Sequence, residues 1–152
     1  MEARMTSPAA LLPDATKGIQ NIYKAIYSGG APANLLELVH MRASQINGCA
    51  ACVDAGIDSA QKHGETAQRL MLLPVWREVD AFTDAEKAAL ALTEAMTRLA
   101  DNPGAVTDEI WNEAADHFSE PALASVILMG ALTNLFNRVN TTIREPAGIR
   151  WD

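Results

Sequence analysis

The feature that most constrains the fold is a helical repeat of apolar residues, interrupted by capping and stop signals. Apolar side chains recur at the spacing i, i+3, i+4 and i+7, which places them on one face of a helix. In the first segment these residues are Ile19, Ile22, Tyr23 and Ile26. Alanine is the commonest residue and aromatic residues make up only 5% of the chain, which favours close-packed helices over sheets. The sequence therefore predicts an all-α fold of about six to seven helices.

Capping and breaking residues mark where these helices are expected to begin and end. Thr83 and Glu86 have the spacing of a capping box, which is the clearest helix start in the chain. Asp14 is expected to cap the first helix, and Leu99 to be buried near the end of the fifth. The predicted helices run over about 14–28, 32–47, 49–63, 66–73, 83–100, 107–118 and 120–142, with a short helical turn and loop over 74–82.

The last predicted helix, over about 120–142, is apolar around most of its circumference. A helix with no polar face must be buried on several sides. We therefore expect it either at the centre of the chain's own core or at a subunit interface.

Length, charge and cysteine number exclude several classes of protein. The 152 residues fit one domain, 1–152. A net charge of −7 without any Lys/Arg run argues against nucleic-acid binding. No apolar stretch reaches the roughly eighteen residues of a membrane span, and the N-terminus has no signal-peptide h-region, so we expect a cytoplasmic protein that makes no membrane contact. Two cysteines are too few for a disulfide-stapled secreted scaffold.

The two cysteines, Cys49 and Cys52, form a Cys-Ala-Ala-Cys motif at the predicted start of a helix. Residues three apart share a helix face, and the free N–H groups at a helix start stabilise a thiolate. Glu37 and His40 share a face of the preceding helix in the same way. If the two helices form a hairpin about the Asn-Gly pair 47–48, that face could lie against the cysteines. Such a pair of sulfurs is the minimum for thiol redox catalysis.

Other interpretations of these residues stay open. A structural zinc site needs four ligands, and His40, His63 and His117 alone accompany the single cysteine pair, so we expect no metal and no cofactor. Both cysteines could be inert core residues. Glu37 alone could be a solvated helix residue and His40 a packed or capping histidine. His63 and His117 are interpreted as helix C-terminal residues that complement the dipole.

The core motif, 37–65, carries a resemblance to a known family. It comprises Glu37, the run Ser-Gln-Ile-Asn-Gly before Cys49, then Cys52, and a closing Lys-His-Gly-Glu at 62–65. The motif resembles that of the alkylhydroperoxidase D-like families within the carboxymuconolactone decarboxylase superfamily. The likeness covers most of the chain, because three further segments are also similar: 73–78, 82–95 and 134–138.

The resemblance implies a fold, an assembly and a chemistry. The fold would be all-helical and would assemble into a homo-oligomer, a trimer or a hexamer. Cys52 would attack a hydroperoxide substrate and become a sulfenic acid, which Cys49 would resolve as a disulfide. Glu37 would be the base in a proton relay. A thiol or a dihydrolipoyl-bearing protein would supply the reducing equivalents.

The chain departs from the family pattern at one position. Gly56 stands four residues after the second cysteine, where the family usually carries a histidine. Glycine cannot relay a proton, and His40, on the same face as Glu37, is the candidate substitute. Two alternatives remain: a carboxymuconolactone decarboxylase-like lyase that does not use the cysteines, and a non-enzymatic, redox-responsive oligomeric protein.

Overall fold

The computed structural model describes residues 2–148, and within them the chain is helical throughout, with no strand. The all-α prediction is confirmed, with eight α-helices in place of the predicted six to seven. A 3₁₀ helix, Leu73–Glu78, follows the fifth of them. The α-helices are α1 Pro8–Leu11, α2 Pro13–Ser28, α3 Ala33–Asn47, α4 Ala50–Lys62, α5 Ala67–Leu72, α6 Asp84–Thr97, α7 Asp108–His117 and α8 Glu120–Ile143.

The helix boundaries agree with the sequence except at a few positions. The capping box is confirmed, because the side chains of Thr83 and Glu86 each accept the other residue's backbone N–H. The short α1 was not predicted. Asp14 is not a cap, since Leu12 is the N-cap of α2 and Asp14 lies in its first turn. The prediction that Leu99 is buried is wrong: α6 ends at Thr97, the backbone turns away, and Leu99 is 47% exposed.

The third helix lies at the centre of the fold. It packs against α4, α6 and α8, and opposite sides of it contribute to two apolar clusters. Leu36 and Val39 belong to a cluster with residues of α2, α6, α7 and α8. Leu38 and Met41 belong to a second cluster with residues of α4, α5 and the 3₁₀ helix. Glu37, which lies on α3 between these two sets, is therefore buried.

The long last helix, α8, is only partly covered. The expectation that no apolar stretch reaches the length of a membrane span is wrong for α8, which is long and apolar enough to cross a membrane by length and composition alone. Half of its apolar stretch is buried within the chain, as in the core helix of a globular fold. Its buried face carries Val126 and Met129, whereas Leu128 and Leu135 are 42% and 46% exposed. The prediction that this helix is buried on several sides is confirmed only for the face that packs against α2, α3 and α6.

One buried carboxylate ties the core helices together. Glu94 of α6 accepts hydrogen bonds from Arg42 of α3 at 2.6 Å, from Trp76 Nε1 at 3.0 Å and from Arg77 at 2.7 Å. Burial alone would raise the pKa of Glu94, but these three donors outweigh it and lower the pKa to about 2. Glu94 is therefore ionised at neutral pH and fixes the 3₁₀ helix against α3 and α6.

Candidate functional site

The cysteine motif lies at a sharp turn between α3 and α4. Gly48 ends α3 in the left-handed region at φ +65°, where a residue without Cβ is favoured. Cys49 follows as the N-cap of α4, and its Sγ accepts the backbone N–H of Cys52 at 3.3 Å. The predicted position of the motif at a helix start is confirmed. Hydrogen bonds and the dipole at this helix end favour negative charge on sulfur.

The two sulfurs are bonded to each other in the structure. The Cys49–Cys52 disulfide joins Cα atoms 5.3 Å apart, and the two residues are only 3% and 4% exposed. Asn140 of α8 donates from Nδ2 to Cys52 Sγ at 3.4 Å. The sequence analysis did not single out Asn140, which lies 88 residues beyond Cys52. Its amide is the side-chain donor directed at the second sulfur.

Side chains of α8 fix the turn that carries the cysteines. Asn137 donates to Ser44 Oγ at 3.0 Å and accepts from Asn47 Nδ2 at 2.8 Å. Asn47 also donates to Asn134 Oδ1 at 3.0 Å. Asn134, Asn137 and Asn140 are spaced by three residues, so they form one polar stripe on an apolar helix. This stripe holds the end of α3 and the sulfur pair in a fixed relation to α8.

His40 lies beside the second cysteine, as the hairpin hypothesis predicts. Its Nε2 is 3.2 Å from the carbonyl oxygen of Cys52, and its Nδ1 is 3.3 Å from Thr133 Oγ1. Because the carbonyl can only accept, Nε2 carries the proton and Nδ1 accepts from the Thr133 hydroxyl. Burial lowers the pKa of His40, against opposing effects of the Cys52 carbonyl and the negative charge of Glu37. The imidazole is therefore neutral at pH 7.

The glycine at position 56 is explained by this histidine. A Cβ placed on Gly56 would lie 2.8 Å from His40 Cδ2 and 3.0 Å from His40 Nε2. It would also lie 2.5 Å from Met41 Sδ. The ring of His40 thus fills the space that a side chain at position 56 would need. An imidazole can be presented here from α3 or from α4, but not from both.

Glu37 is buried and held by two partners that the sequence analysis missed. Tyr27 of α2 donates its hydroxyl to Glu37 Oε1 at 2.6 Å. His63, the C-cap of α4, brings Nδ1 to 3.4 Å from the same oxygen. Burial, together with the hydrogen bond to Glu37, raises the pKa of Tyr27. His63 lies at a helix C-terminus as predicted, but it also contacts Glu37, which its sequence position did not reveal.

Glu37 and His40 face a common cavity of about 280 Å³. Two of its lining residues, Tyr23 and Tyr27, stack with their ring centroids 6.4 Å apart. Tyr27 also stacks on His63, with 5.8 Å between the ring centroids. Burial, and then the charge of Glu37, raises the pKa of Tyr23 to about 12. The cavity is lined by Tyr23, Tyr27, Glu37, His40, Ala55, Gly56, Ser59 and Met129.

The four predicted site residues are thus brought into one region at the α3–α4 hairpin. Cys49 and Cys52 are bonded, His40 contacts the peptide of Cys52, and Glu37 lies one turn before His40 on the same cavity. Within residues 2–148, Glu37 makes no hydrogen bond to either sulfur. His117 lies apart from this region, at the end of α7. Among residues 2–148, no group of three His, Cys, Asp or Glu residues is placed to hold a metal ion.

The comparison with known families identifies this architecture. The model of the carboxymuconolactone decarboxylase family matches residues 13–95, which contain α2 through α5 and the cysteine motif. The chain belongs to the carboxymuconolactone decarboxylase family. The expected resemblance to its alkylhydroperoxidase D-like members is confirmed.

Individual relatives agree with this assignment. The uncharacterized protein YdfG of Bacillus subtilis is 32% identical over 137 residues, which cover 90% of this chain and 92% of YdfG. A putative antioxidant defence protein AhpD from Agrobacterium tumefaciens, of unknown function, is 29% identical, with a TM-score of 0.87 over 98% of this chain and 100% of its own. The debrominase Bmp8 shares the fold at 24% identity, with a TM-score of 0.77 over 89% of this chain and 72% of Bmp8. Family membership together with the CxxC pair supports a peroxidase-like redox role at the level of the family.

Proposed function

We propose that the chain is a cysteine-dependent peroxidase that reduces hydroperoxides through the pair Cys49 and Cys52. The observation that carries the proposal is the geometry of this pair: two sulfurs close enough to bond, at a helix start, beside the buried imidazole of His40. Two sulfurs that can interconvert between thiols and a disulfide can take two electrons from one partner and deliver them to another.

The first chemical step is attack by the thiolate of Cys52 on one oxygen of the hydroperoxide. An S–O bond forms, the O–O bond breaks, and the released alkoxide takes up a proton and leaves as an alcohol. The N-terminal end of α4 and the amide of Asn140, 3.4 Å from Cys52 Sγ, both favour the thiolate over the thiol. The product on Cys52 is a sulfenic acid.

The second step forms the disulfide. The sulfur of Cys49 attacks the sulfenic sulfur of Cys52, an S–S bond forms, and the hydroxyl leaves as water with the proton of the Cys49 thiol. Over both steps, one hydroperoxide and two thiols become one alcohol, one water and one disulfide. The adjacency of the two sulfurs in the structure supports this resolving role.

Glu37 and His40 are proposed to carry the protons of these steps. Glu37 acts as the base that receives the thiol proton. His40 takes the place of the family histidine, because its ring fills the space beside Gly56 and its Nε2–H already points at the backbone of Cys52. A positioned acid–base group of this kind accelerates proton transfer by about 10²–10⁴-fold.

We also propose a reductant, an oligomeric state and a cellular compartment for the protein. A thiol or dihydrolipoyl-type protein would return the disulfide to thiols, in the cytoplasm, where a disulfide can be reduced again. The protein would act as a homo-oligomer, a trimer or a hexamer. The half-exposed Leu128 and Leu135 on α8 support such an assembly, because exposed leucines on an apolar helix are commonly covered by another subunit.

The test is turnover of cumene hydroperoxide with dithiothreitol as reductant, compared between the wild type and Cys52→Ser. We expect the wild type to consume hydroperoxide over many cycles and the variant to lose this activity. Full activity in Cys52→Ser would contradict the proposal and favour a lyase that does not use the cysteines. One oxidation per chain without cycling would favour the redox-responsive binding protein.

A further inference from the structure

We propose that His63 carries protons between the solvent and the buried Glu37, and that this transfer serves the reduction of the disulfide. The inference rests on the proposed function and adds a proton-transfer residue that acts through Glu37. It follows from the position of one imidazole at the surface end of the site.

The Glu37 carboxylate is almost fully shielded from bulk solvent. Its side chain is 4% exposed, whereas the side chain of His63 is 37% exposed. His63 Nδ1 lies 3.4 Å from Glu37 Oε1, so a group open to solvent contacts the buried carboxylate. A carboxylate that acts as a base in repeated cycles must exchange its proton with the solvent, and such a neighbour offers a route for the exchange.

The other partner of this oxygen is unsuited to the same role. Tyr27 also donates to Glu37 Oε1, but burial and this hydrogen bond hold its proton on the phenol. The Tyr27 ring instead stacks on the imidazole of His63, at 5.8 Å and 17° between planes, which fixes the orientation of the imidazole. Tyr27 is therefore a positioning residue for both Glu37 and His63.

The imidazole of His63 is oriented for proton transfer from one nitrogen to the other. Its Nδ1 is hydrogen-bonded to the carbonyl oxygen of Ser59, at 2.9 Å, and lies 3.4 Å from Glu37 Oε1. A neutral imidazole can take up a proton at Nε2 and release the one on Nδ1. A proton taken up from water at Nε2 thus allows the Nδ1 proton to pass to Glu37, and proton exchange with water then returns the imidazole to its Nδ1–H tautomer.

Proton transfer through His63 is needed when the disulfide is reduced, and not when the thiols are oxidised. In the oxidative half, the two thiol protons leave on the alcohol and on water, so none has to come from the solvent. In the reductive half, a dithiol attacks as thiolate and has already given its protons to the solvent. Its two electrons break the Cys49–Cys52 bond, and the reduced site must regain two protons from outside: one for the Cys49 thiol and one that Glu37 holds while Cys52 is a thiolate. We assign the proton on Glu37 to the route through His63.

The test uses the intact protein and measures the two half-reactions separately. Tryptophan fluorescence in a stopped-flow instrument follows oxidation of the reduced chain by one equivalent of cumene hydroperoxide, and then reduction of the disulfide by dithiothreitol. The variants are His63→Gln, which keeps a hydrogen-bonding side chain but cannot carry a proton, and His63→Ala, which leaves space for imidazole. His117→Gln, on α7, is the matched control.

We expect dithiothreitol to reduce the disulfide of both His63 variants about 100-fold more slowly than that of the wild type. This is the lower end of the effect of a positioned proton carrier. Oxidation should stay within about twofold, since its protons are internal. Imidazole added to the buffer should restore reduction of His63→Ala in proportion to its concentration, and His117→Gln should behave as the wild type.

Two results would overturn the inference: wild-type reduction rates in His63→Gln, or a loss in His63→Ala that imidazole does not restore. The second would assign His63 a purely structural role. Failure of the proposed function is seen separately, as a wild-type chain that hydroperoxide does not oxidise. Reduction of the disulfide by dithiothreitol remains measurable in that case, so the two failures are distinguishable.

Discussion

Substitution of Gly56 by alanine tests whether His40 occupies the space at this position. The added Cβ would lie 2.8 Å from His40 Cδ2 and 2.5 Å from Met41 Sδ, both closer than real Cβ contacts. The flexible end of Met41 can move aside. The His40 ring is held at both nitrogens, by the Cys52 carbonyl and by Thr133, so its displacement breaks two hydrogen bonds.

The change in the free energy of unfolding follows from one stabilising and two destabilising contributions. Alanine in place of glycine inside a helix stabilises by about 0.5–1 kcal/mol. Overpacking costs about 1–3 kcal/mol, and each lost hydrogen bond of His40 costs about 0.5–1.5 kcal/mol. With both hydrogen bonds lost, we therefore expect Gly56→Ala to be destabilised by about 1–5.5 kcal/mol, and each kcal/mol lowers Tm by about 2–4 °C in a chain of this size.

The assay is urea unfolding followed by circular dichroism, with Gly18→Ala as the matched control. Gly18 is inside α2, and a Cβ there meets nothing within 4 Å. That variant should be stabilised by about 0.5–1 kcal/mol. The double variant His40→Ala/Gly56→Ala should be less destabilised than the sum of its single changes, because the deleted ring frees the space. Equal stabilisation in Gly56→Ala and Gly18→Ala would refute the steric reasoning.

Two further predictions concern Glu94 and Asn140. Because the folded-state pKa of Glu94, about 2, is below its ordinary value of 4.5, its stabilisation is present above pH 4.5 and is lost as the pH falls towards 2. Glu94→Gln should therefore lower the free energy of unfolding by about 2 kcal/mol at pH 7, after allowance for solvent screening, and by much less at pH 3. Urea unfolding at the two pH values measures the difference. Asn140→Leu removes the donor to Cys52 Sγ and should raise the pKa of the reduced Cys52 thiol, which slows alkylation by iodoacetamide at pH 7 about tenfold. The exposed Asn112→Leu is its control, and an unchanged pH profile of alkylation would contradict the role of Asn140.

The local parts of the site could be predicted from the sequence because they depend on neighbouring residues. The helix start at the cysteines follows from the Asn-Gly turn before Cys49. The approach of His40 to Cys52 follows from a short hairpin, in which residues on facing sides of two helices must meet. The same local signals failed at α1, which is a single turn bounded by prolines. They also failed at Leu99, because α6 ends at Thr97, three residues before its predicted end.

The rest of the site could not be predicted because its contacts join distant segments. Tyr27 reaches Glu37 from α2, and Asn140 reaches Cys52 from α8, through packing that no local pattern specifies. One signal was present: asparagines at three-residue spacing on an otherwise apolar helix indicate a polar stripe with buried partners. The contact of His63 with Glu37 had no such signal, since a histidine at a helix end is explained by the helix dipole alone.

The most direct test of the peroxidase proposal identifies the sulfur that a hydroperoxide oxidises. The variant Cys49→Ser is reduced, treated with one equivalent of cumene hydroperoxide in the presence of dimedone, and analysed by peptide mass spectrometry. Without the resolving sulfur, we predict a dimedone adduct on Cys52 in most chains, together with one cumyl alcohol for each adduct. A Cys52 that stays a free thiol while the peroxide is unconsumed would contradict the proposed function.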